Sequence, residues 1–428
     1  MSQTLSRRDV LKLFSAGLAA WALPVAPVAG WRPRLAFFSP EAGPQGDILI
    51  CVFLRGAMDG LNAVIPFAEK DYFDARPTLA IPEPKSGDEA TALNLDDFFG
   101  LHPSLRPFKN LWDEGALAIV HAAGSPDPTH SHFEAMDYME RGTPGEKQVP
   151  SGWLARHLET LASENASPFR AVGFGAMLQA SLRGSTPALA LSSVEDFRLG
   201  GRRSAPELER FQAVLSNLYR LGSPLDAAGG VTLSATETLA QVVAGEYHPE
   251  HGAEYPATPF GQTMRQVAQL IKAEVGLEVA AVDLGGWDTH INQGALEGQM
   301  PSLLTDLSQS LFAFYVDMGE QMKRITVVTM SEFGRRVAEN GGGGTDHGHG
   351  NVMFVLGGGI NGGKVYGEWP GLSPEVLYGP GDLAVTTDFR TVLGEIVQKR
   401  LRNDQLDRVF PGFTFGGFLG LAQEPPTG

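Results

Sequence analysis

The sequence has a single cysteine among 428 residues, Cys51, which excludes an intramolecular disulfide framework and leaves the fold to packing or to a metal. It is also poor in positive charge. Its 33 lysines and arginines are outnumbered by 49 acids, for a formal net charge of −16, which removes the electrostatic basis for a nucleic-acid footprint or a polybasic membrane surface. An anionic substrate would therefore need a local cationic site. Charged residues make up only 19% and hydrophobic ones 43%, and the 52 glycines and 29 prolines follow no period, so collagen-like, coiled-coil and mainly disordered chains are excluded. No internal repeat is visible, and Gly341–Gly344 is the one low-complexity tract. What remains is a globular chain, ample for a large core and readable as one long α/β domain.

The N-terminus carries Ser6-Arg7-Arg8-Asp9-Val10-Leu11-Lys12, then a modestly apolar run from Leu13 to Val28 with small residues at its end. The run is too short for a comfortable membrane span, and the whole resembles a twin-arginine export signal cleaved near residue 29. Removing residues 1–29 takes away Arg7, Arg8, Lys12 and Asp9 and leaves a net charge of −18. The expectation is a periplasmic or secreted protein handled by the export machinery, with no integral span once the signal is gone.

Nearly continuous apolar runs at Asp47–Leu54, Leu117–His121, Val279–Leu284, Ile325–Met330 and Asn351–Leu356 have the form of strands buried on both faces. Helical patterns lie between them at Pro103–Trp112, Pro150–Glu164, Glu207–Leu221, Thr236–Gly245 and Met300–Met322. The alternation predicts an α/β fold, a mainly parallel sheet with helices on both faces, and ligands at the carboxyl ends of its strands. Residues 30–422 read as one domain with a helical insertion at about 165–275, and 423–428 as a flexible tail.

Five polar clusters stand next to these runs. Asp346, His347 and His349 fall within four residues of a glycine-rich loop, where the backbone can fold around one point, and imidazole with carboxylate suits zinc, manganese or iron. Asp288 and His290 leave the Val279–Leu284 strand on one side of the pleat and can share an ion. Asp59 follows the first strand, as a metal ligand or a turn aspartate, and the guanidinium of Arg55 beside it is a candidate for an anion. Ser131 stands at a helix start, either as a nucleophile next to a metal or as a plain cap in a capping box with Glu134; Thr129 is its nearest competitor, and His132 is a ligand or a partner of one. Glu332 ends the Ile325–Met330 strand, placed to join a metal site, with Arg335 close by to neutralise a substrate.

The order of these segments, from Arg55-Gly56 with Asp59-Gly60-Leu61-Asn62 and Leu101-His102-Pro103 through Ser131-His132-Phe133, Gly152-Trp153-Leu154, Gly286-Trp287-Asp288-Thr289-His290, Ser331-Glu332-Phe333-Gly334-Arg335 and Thr345-Asp346-His347-Gly348 to Thr386-Thr387-Asp388-Phe389-Arg390, resembles the domain-of-unknown-function 1501 family. More distantly it is similar to the alkaline phosphatase and sulfatase superfamily, whose members place two metal ions at the carboxyl end of a mainly parallel sheet. That resemblance implies roles in order for Asp59, Ser131 and the Asp288–His290 pair. The pattern departs at Glu332-Phe333, which stands where an Asp-His pair is expected, and the Cys-x-Pro-x-Arg of sulfatases is absent because Cys51 lies inside a strand.

The resulting expectation is a metal-dependent hydrolase holding one or two divalent ions through Asp59, Asp288, His290, Glu332, Asp346, His347 and His349. Ser131 or water would attack a phosphate or related anionic ester, with Arg55 and His132 in support. Two other readings use the same residues: an envelope protein binding a glycan or protein partner around a structural metal, and a metal-dependent polysaccharide-active enzyme.

Overall fold

The computed structural model describes residues 47–424 except 162, 164, 166, 195–234, 236, 237, 240, 241 and 243–246. The export segment, the helix expected at Glu207–Leu221, most of the one at Thr236–Gly245 and the tail from residue 425 lie outside the described residues.

Nine strands form the main sheet: β1 (Ile48–Arg55), β2 (Leu117–Gly124), β3 (Ala171–Phe174), β4 (Leu189–Leu191), β5 (Val279–Gly285), β6 (Ile325–Met330), β7 (Asn351–Gly357), β8 (Lys364–Tyr366) and β9 (Thr387–Asp388). Their order is β8-β2-β7-β6-β1-β5-β3-β4, with β9 also paired to β2. β1 is central and parallel to both neighbours, Cys51 lying opposite Ala281 of β5 and Val328 of β6. Only β7 runs against its neighbours β2 and β6, so among the described strands it is the one reversed element of a mostly parallel sheet.

The apolar runs form strands because helices cover both faces and nearly every position along them is buried, Ile48 and Asp283 being the partly exposed exceptions in the first and third runs. Ile50, Val52 and Leu54 point to one side and pack with α1 (Arg106–Asp113), α4 (Pro259–Lys272) and α5 (Gln299–Met318). Leu49, Cys51 and Phe53 point to the other, against α2 (His132–Arg141), α3 (Trp153–Thr160) and α6 (Phe389–Lys399). Each such fully buried aliphatic side chain contributes about 2 kcal/mol. The cysteine is one of these core residues: its Sγ lies 3.5 Å from Met330 Sδ, and burial pushes its thiol pKa far up, which leaves it inert. Helix ends follow local chemistry, as where Thr258 accepts the Gly261 N–H ahead of Pro259, and where α2 stops at Gly142 in the left-handed conformation.

One expectation is corrected. Residues 165–275 are not simply a helical insertion, because β3 and β4 extend the sheet beside β5 and α4 packs on its face. The two strands are only four and three residues long, too short to show a period. Among the described residues, no helix is long and apolar enough to cross a membrane.

Candidate metal centre

The strand directions bring the polar clusters to one edge. β1, β2, β5 and β6 all end there, and the reversed β7 begins there, so the segments after Arg55, Gly124, Gly285 and Met330 and the one before Asn351 meet. The glycine-rich loop is drawn in by backbone pairing: Gly334 N–H donates to His349 O, Gly348 N–H to Gly334 O and Arg336 N–H to Asp346 O. Glycine is required at these approaches, since a Cβ on Gly344 would lie 2.2 Å from Thr289 O and one on Gly348 2.4 Å from the Arg335 carbonyl carbon. Asn340 closes the turn before them, its Oδ1 accepting the Gly342 N–H at 2.8 Å.

Three histidines converge in the space so formed, each fixed in orientation by its Nδ1. His132 donates Nδ1–H to Glu332 Oε1 at 2.7 Å, His290 to Asp346 Oδ1 at 3.0 Å and His347 to His130 O at 3.0 Å. Carboxylates and carbonyls only accept, so Nδ1 carries the proton in each ring and the neutral form of the ring turns an Nε2 lone pair to the centre. His347 Nε2 stands 3.0 Å from His132 Nε2 and 2.9 Å from His290 Nε2. Asp288 Oδ1 lies 3.6, 3.2 and 3.6 Å from the Nε2 of His132, His290 and His347. Ligands about 2.0–2.1 Å from one ion stand roughly 2.9–3.3 Å apart in octahedral or tetrahedral geometry. The donor chemistry fits a transition metal, with the ligand atoms of His132, His347 and Asp288 all within 4.8 Å of one another and His290 beside them at 2.9 Å from His347.

The surroundings keep Asp288 and Glu332 ionised and favour the neutral ring of His347, as a metal needs, and they favour the proton on His132, which a metal would displace. Burial pushes the Asp288 carboxyl up, but the hydrogen bond and charge of Arg335, with His132 and His290, outweigh it and keep the group ionised. Burial and the charges of His132 and Arg335 hold His347 below its ordinary value, whereas the hydrogen bond to Glu332 holds His132 above it. Glu332 stays ionised despite burial because His132 and the backbone N–H groups of Ala57 and Gly56 donate to it.

Several expected roles are corrected. Glu332 Oε1 accepts from His132 Nδ1 and from the Gly56 N–H at 2.8 Å, and Asp346 Oδ1 accepts from His290 Nδ1 and from Asn340 Nδ2 at 3.0 Å, so these oxygens face the Nδ1 side of the rings. Asp59 is fully buried in a two-pronged pair with Arg76, at 2.6 and 3.1 Å, and also accepts from Gln293 Nε2 at 2.7 Å. His349 stands outside the cluster, its ring stacked on Tyr378 at 4.5 Å and its pKa pushed by burial down to about 4. Arg55 is engaged by Glu140 at 3.2 Å and Asp283 at 2.9 Å, and Arg335 is buried with its donors on Gly56 O, Ala57 O, Trp287 O, Thr345 O and Asp288, so neither is free for an anion. Ser131 occupies the N-cap of α2, but its hydroxyl makes no cap bond; Glu134 instead accepts from Thr129 Oγ1 at 3.1 Å, so the capping box does not form.

Arg76, Gln293, Asn340 and the His130 carbonyl were not legible as parts of the site. Asn340 had a signal, the Asn-Gly turn ahead of the glycine run. The other three had none, since they act through contacts far along the chain.

The molecule is thus an α/β protein with a mostly parallel sheet whose carboxyl-edge segments gather a three-histidine, one-aspartate cluster. It belongs to the family described as "Protein of unknown function (DUF1501)", which its sequence matches over residues 47–393. No curated protein matches the sequence. Solved structures similar to this chain include the lipoteichoic acid synthase LtaP from Listeria monocytogenes (8% identity, 84% of this chain and 78% of that one, TM-score 0.34). Also similar are the PsFucS1 sulfatase from Pseudoalteromonas sp. (12%, 75% and 64%, 0.31) and the alkaline phosphatase from the Antarctic bacterium TAB5 (8%, 74% and 92%, 0.30). The architecture described above rests on the strand pairing itself.

Proposed function

We propose that the protein is an exported, metal-dependent ester hydrolase with one divalent ion of the zinc or iron type. The observation that carries this reading is the convergence of three Nε2 lone pairs on Asp288 Oδ1, each ring aligned by a bond from its Nδ1. An ion held there would polarise the scissile carbonyl or ester oxygen and make a bound water acidic enough to attack at neutral pH. His132, His290 and His347 fix its place, and Glu332 and Asp346 hold two of those rings. Arg335 keeps Asp288 anionic, and the half-exposed Asp288 side chain accepts a hydrogen bond from an approaching water.

Water is favoured over Ser131 as the nucleophile because the serine hydroxyl, which makes no cap bond, shows no hydrogen bond to a base among the described residues. The Arg7-Arg8 segment with its short apolar run supports export of the already folded protein to a place of work outside the cytoplasm. The test is cleavage of chromogenic esters before and after chelation and on restoring zinc or ferrous iron. Loss on chelation and return with metal supports the reading, with Ser131→Ala retaining turnover within about threefold. Cleavage indifferent to chelation contradicts the reading, and loss of turnover in metal-loaded Ser131→Ala would transfer the attack to the serine.

A further inference from the structure

Two of the segments that meet at the centre are tied together by one buried amide. Gln293 lies past the end of β5, on the same segment as Asp288 and His290, and is fully buried. Its backbone is pinned on both sides: its N–H donates to Gly343 O in the glycine run, and its carbonyl accepts the Met300 N–H at the start of α5. Gly294 makes the turn between them possible, with φ at +82° and a Cβ there lying 2.0 Å from Glu297 O. The side chain therefore enters the interior from a fixed point.

There it meets three partners. Nε2 donates to Asp59 Oδ2 at 2.7 Å, and Oε1 accepts the hydroxyls of Thr289 and Thr345 at 3.0 and 2.7 Å. The Asp59 carboxylate, paired with Arg76, can only accept, so the amide must turn its NH2 that way and its carbonyl to the threonines. Both lone pairs of that carbonyl are then filled by hydroxyls that have no water to turn to, since Thr289 and Thr345 are buried as well.

The two threonines give the amide its reach. Thr289 stands between Asp288 and His290, and Thr345 directly precedes Asp346, which bonds His290 Nδ1, and then His347. Thr345 N–H also donates to Thr289 O at 3.2 Å, so the two segments are joined at the backbone and, through Oε1, at both side chains. The ligands of a metal site must be held to about 0.5 Å, and hydrogen bonds from the groups around them do this. Arg335 spans the same two segments, on Trp287 O and Thr345 O, but it also bonds Asp288 itself. The side-chain bonds of Gln293 go to none of the three histidines and not to Asp288, so it acts on a bound ion only by fixing where those segments sit.

We propose, on the metal reading above, that Gln293 is a positioning residue of the centre: its amide carbonyl locks the Asp288–His290 segment to the Asp346–His347 segment and so sets the spacing of His290 and His347 about the ion.

The experiment uses the full chain and zinc(II), with affinity read by competition with a chelator and geometry read from the visible absorption of the cobalt(II)-loaded protein. Gln293→Met keeps the bulk and removes the amide, and zinc affinity should fall about 10–100-fold with a shift of the cobalt bands. Thr289→Val and Thr345→Val leave the Asp59 bond in place and should each lose affinity severalfold, while Thr289→Ser and Thr345→Ser, which keep the hydroxyl, should not. In the Gln293→Met background the valine changes should cost nothing more, because their acceptor is already gone. Should Gln293→Met fail to fold, the valine and serine pairs carry the test alone. Unchanged zinc affinity and cobalt bands in folded variants, even with thermal stability lowered, would make Gln293 a structural residue only and overturn the proposal while the metal reading stands. Valine losses that add in full to the Gln293→Met loss would overturn it too. A wild-type chain that binds no zinc would overturn the metal reading and this proposal with it.

Discussion

Asp59 and Asp288 occupy equivalent places, each a few residues beyond the end of a buried parallel strand, yet one is closed and the other open. Asp59 is sealed inside the protein with its oxygens taken by Arg76 and Gln293, and Arg76 in turn bonds Asn62 Oδ1 and the Val337 and Arg336 carbonyls. Asp288 is 51% exposed and turns one oxygen toward three imidazole nitrogens that no donor in the protein fills. The lesson is that a carboxylate is available to a ligand where it stays open: Asp288 Oδ1 accepts from Arg335 at 2.8 Å but its side chain remains half exposed, whereas both oxygens of Asp59 are bonded and sealed. The first cluster is structure, and the second is where the chemistry is proposed.

Breaking the closed cluster should give the larger effect on stability. Arg76→Ala leaves a buried, uncompensated carboxylate, and urea unfolding should show a loss of about 3–5 kcal/mol with metal still bound by the folded fraction. Metal loss without destabilisation in that variant would reverse the assignment.

The histidines offer the same contrast in pH. His121 is buried with Nδ1 accepting the Ala122 N–H at 2.9 Å and Nε2 donating to Val64 O at 3.0 Å, and burial pushes its pKa down to about 4. Because the unfolded chain takes up this proton near pH 6.5 and the folded one near 4, stability from this group is full above pH 6.5 and falls by about 3 kcal/mol as pH drops through that window. Unfolding at pH 7 and pH 4 should show the loss, and His121→Gln should remove that share of it; an unaltered pH profile in the variant would show the ring is not held neutral.

A smaller effect should follow at the open cluster. Glu332→Gln keeps the shape but weakens the hold on His132 Nδ1, and metal affinity measured by competition with a chelator should fall roughly 10–100-fold. Unchanged affinity would mean that His132 is aligned by something other than Glu332.

Much of the fold was legible because burial on both faces writes itself as continuous apolar runs, and β1, β5, β6 and β7 start and stop within a residue or so of those runs. The short β3 and β4 carried no readable period, and their pairing beside β5 is a tertiary fact. In the site, the Asp-x-His after β5 and the Asp-His pair of the glycine loop announced themselves by residue type and spacing. Which of those residues face the centre was not written locally. His349 stands only two residues from His347 yet turns to Tyr378, Asp346 turns to His290, and Asp59 and Arg55 are neutralised by Arg76 and Glu140, partners 17 and 85 residues away.

The most direct test of this account is the metal content of the purified protein by elemental mass spectrometry, with His347→Ala and His349→Ala alongside. The account predicts one equivalent per chain in the wild type and in His349→Ala, and none in His347→Ala. Metal retained by His347→Ala, or lost from His349→Ala, would contradict it.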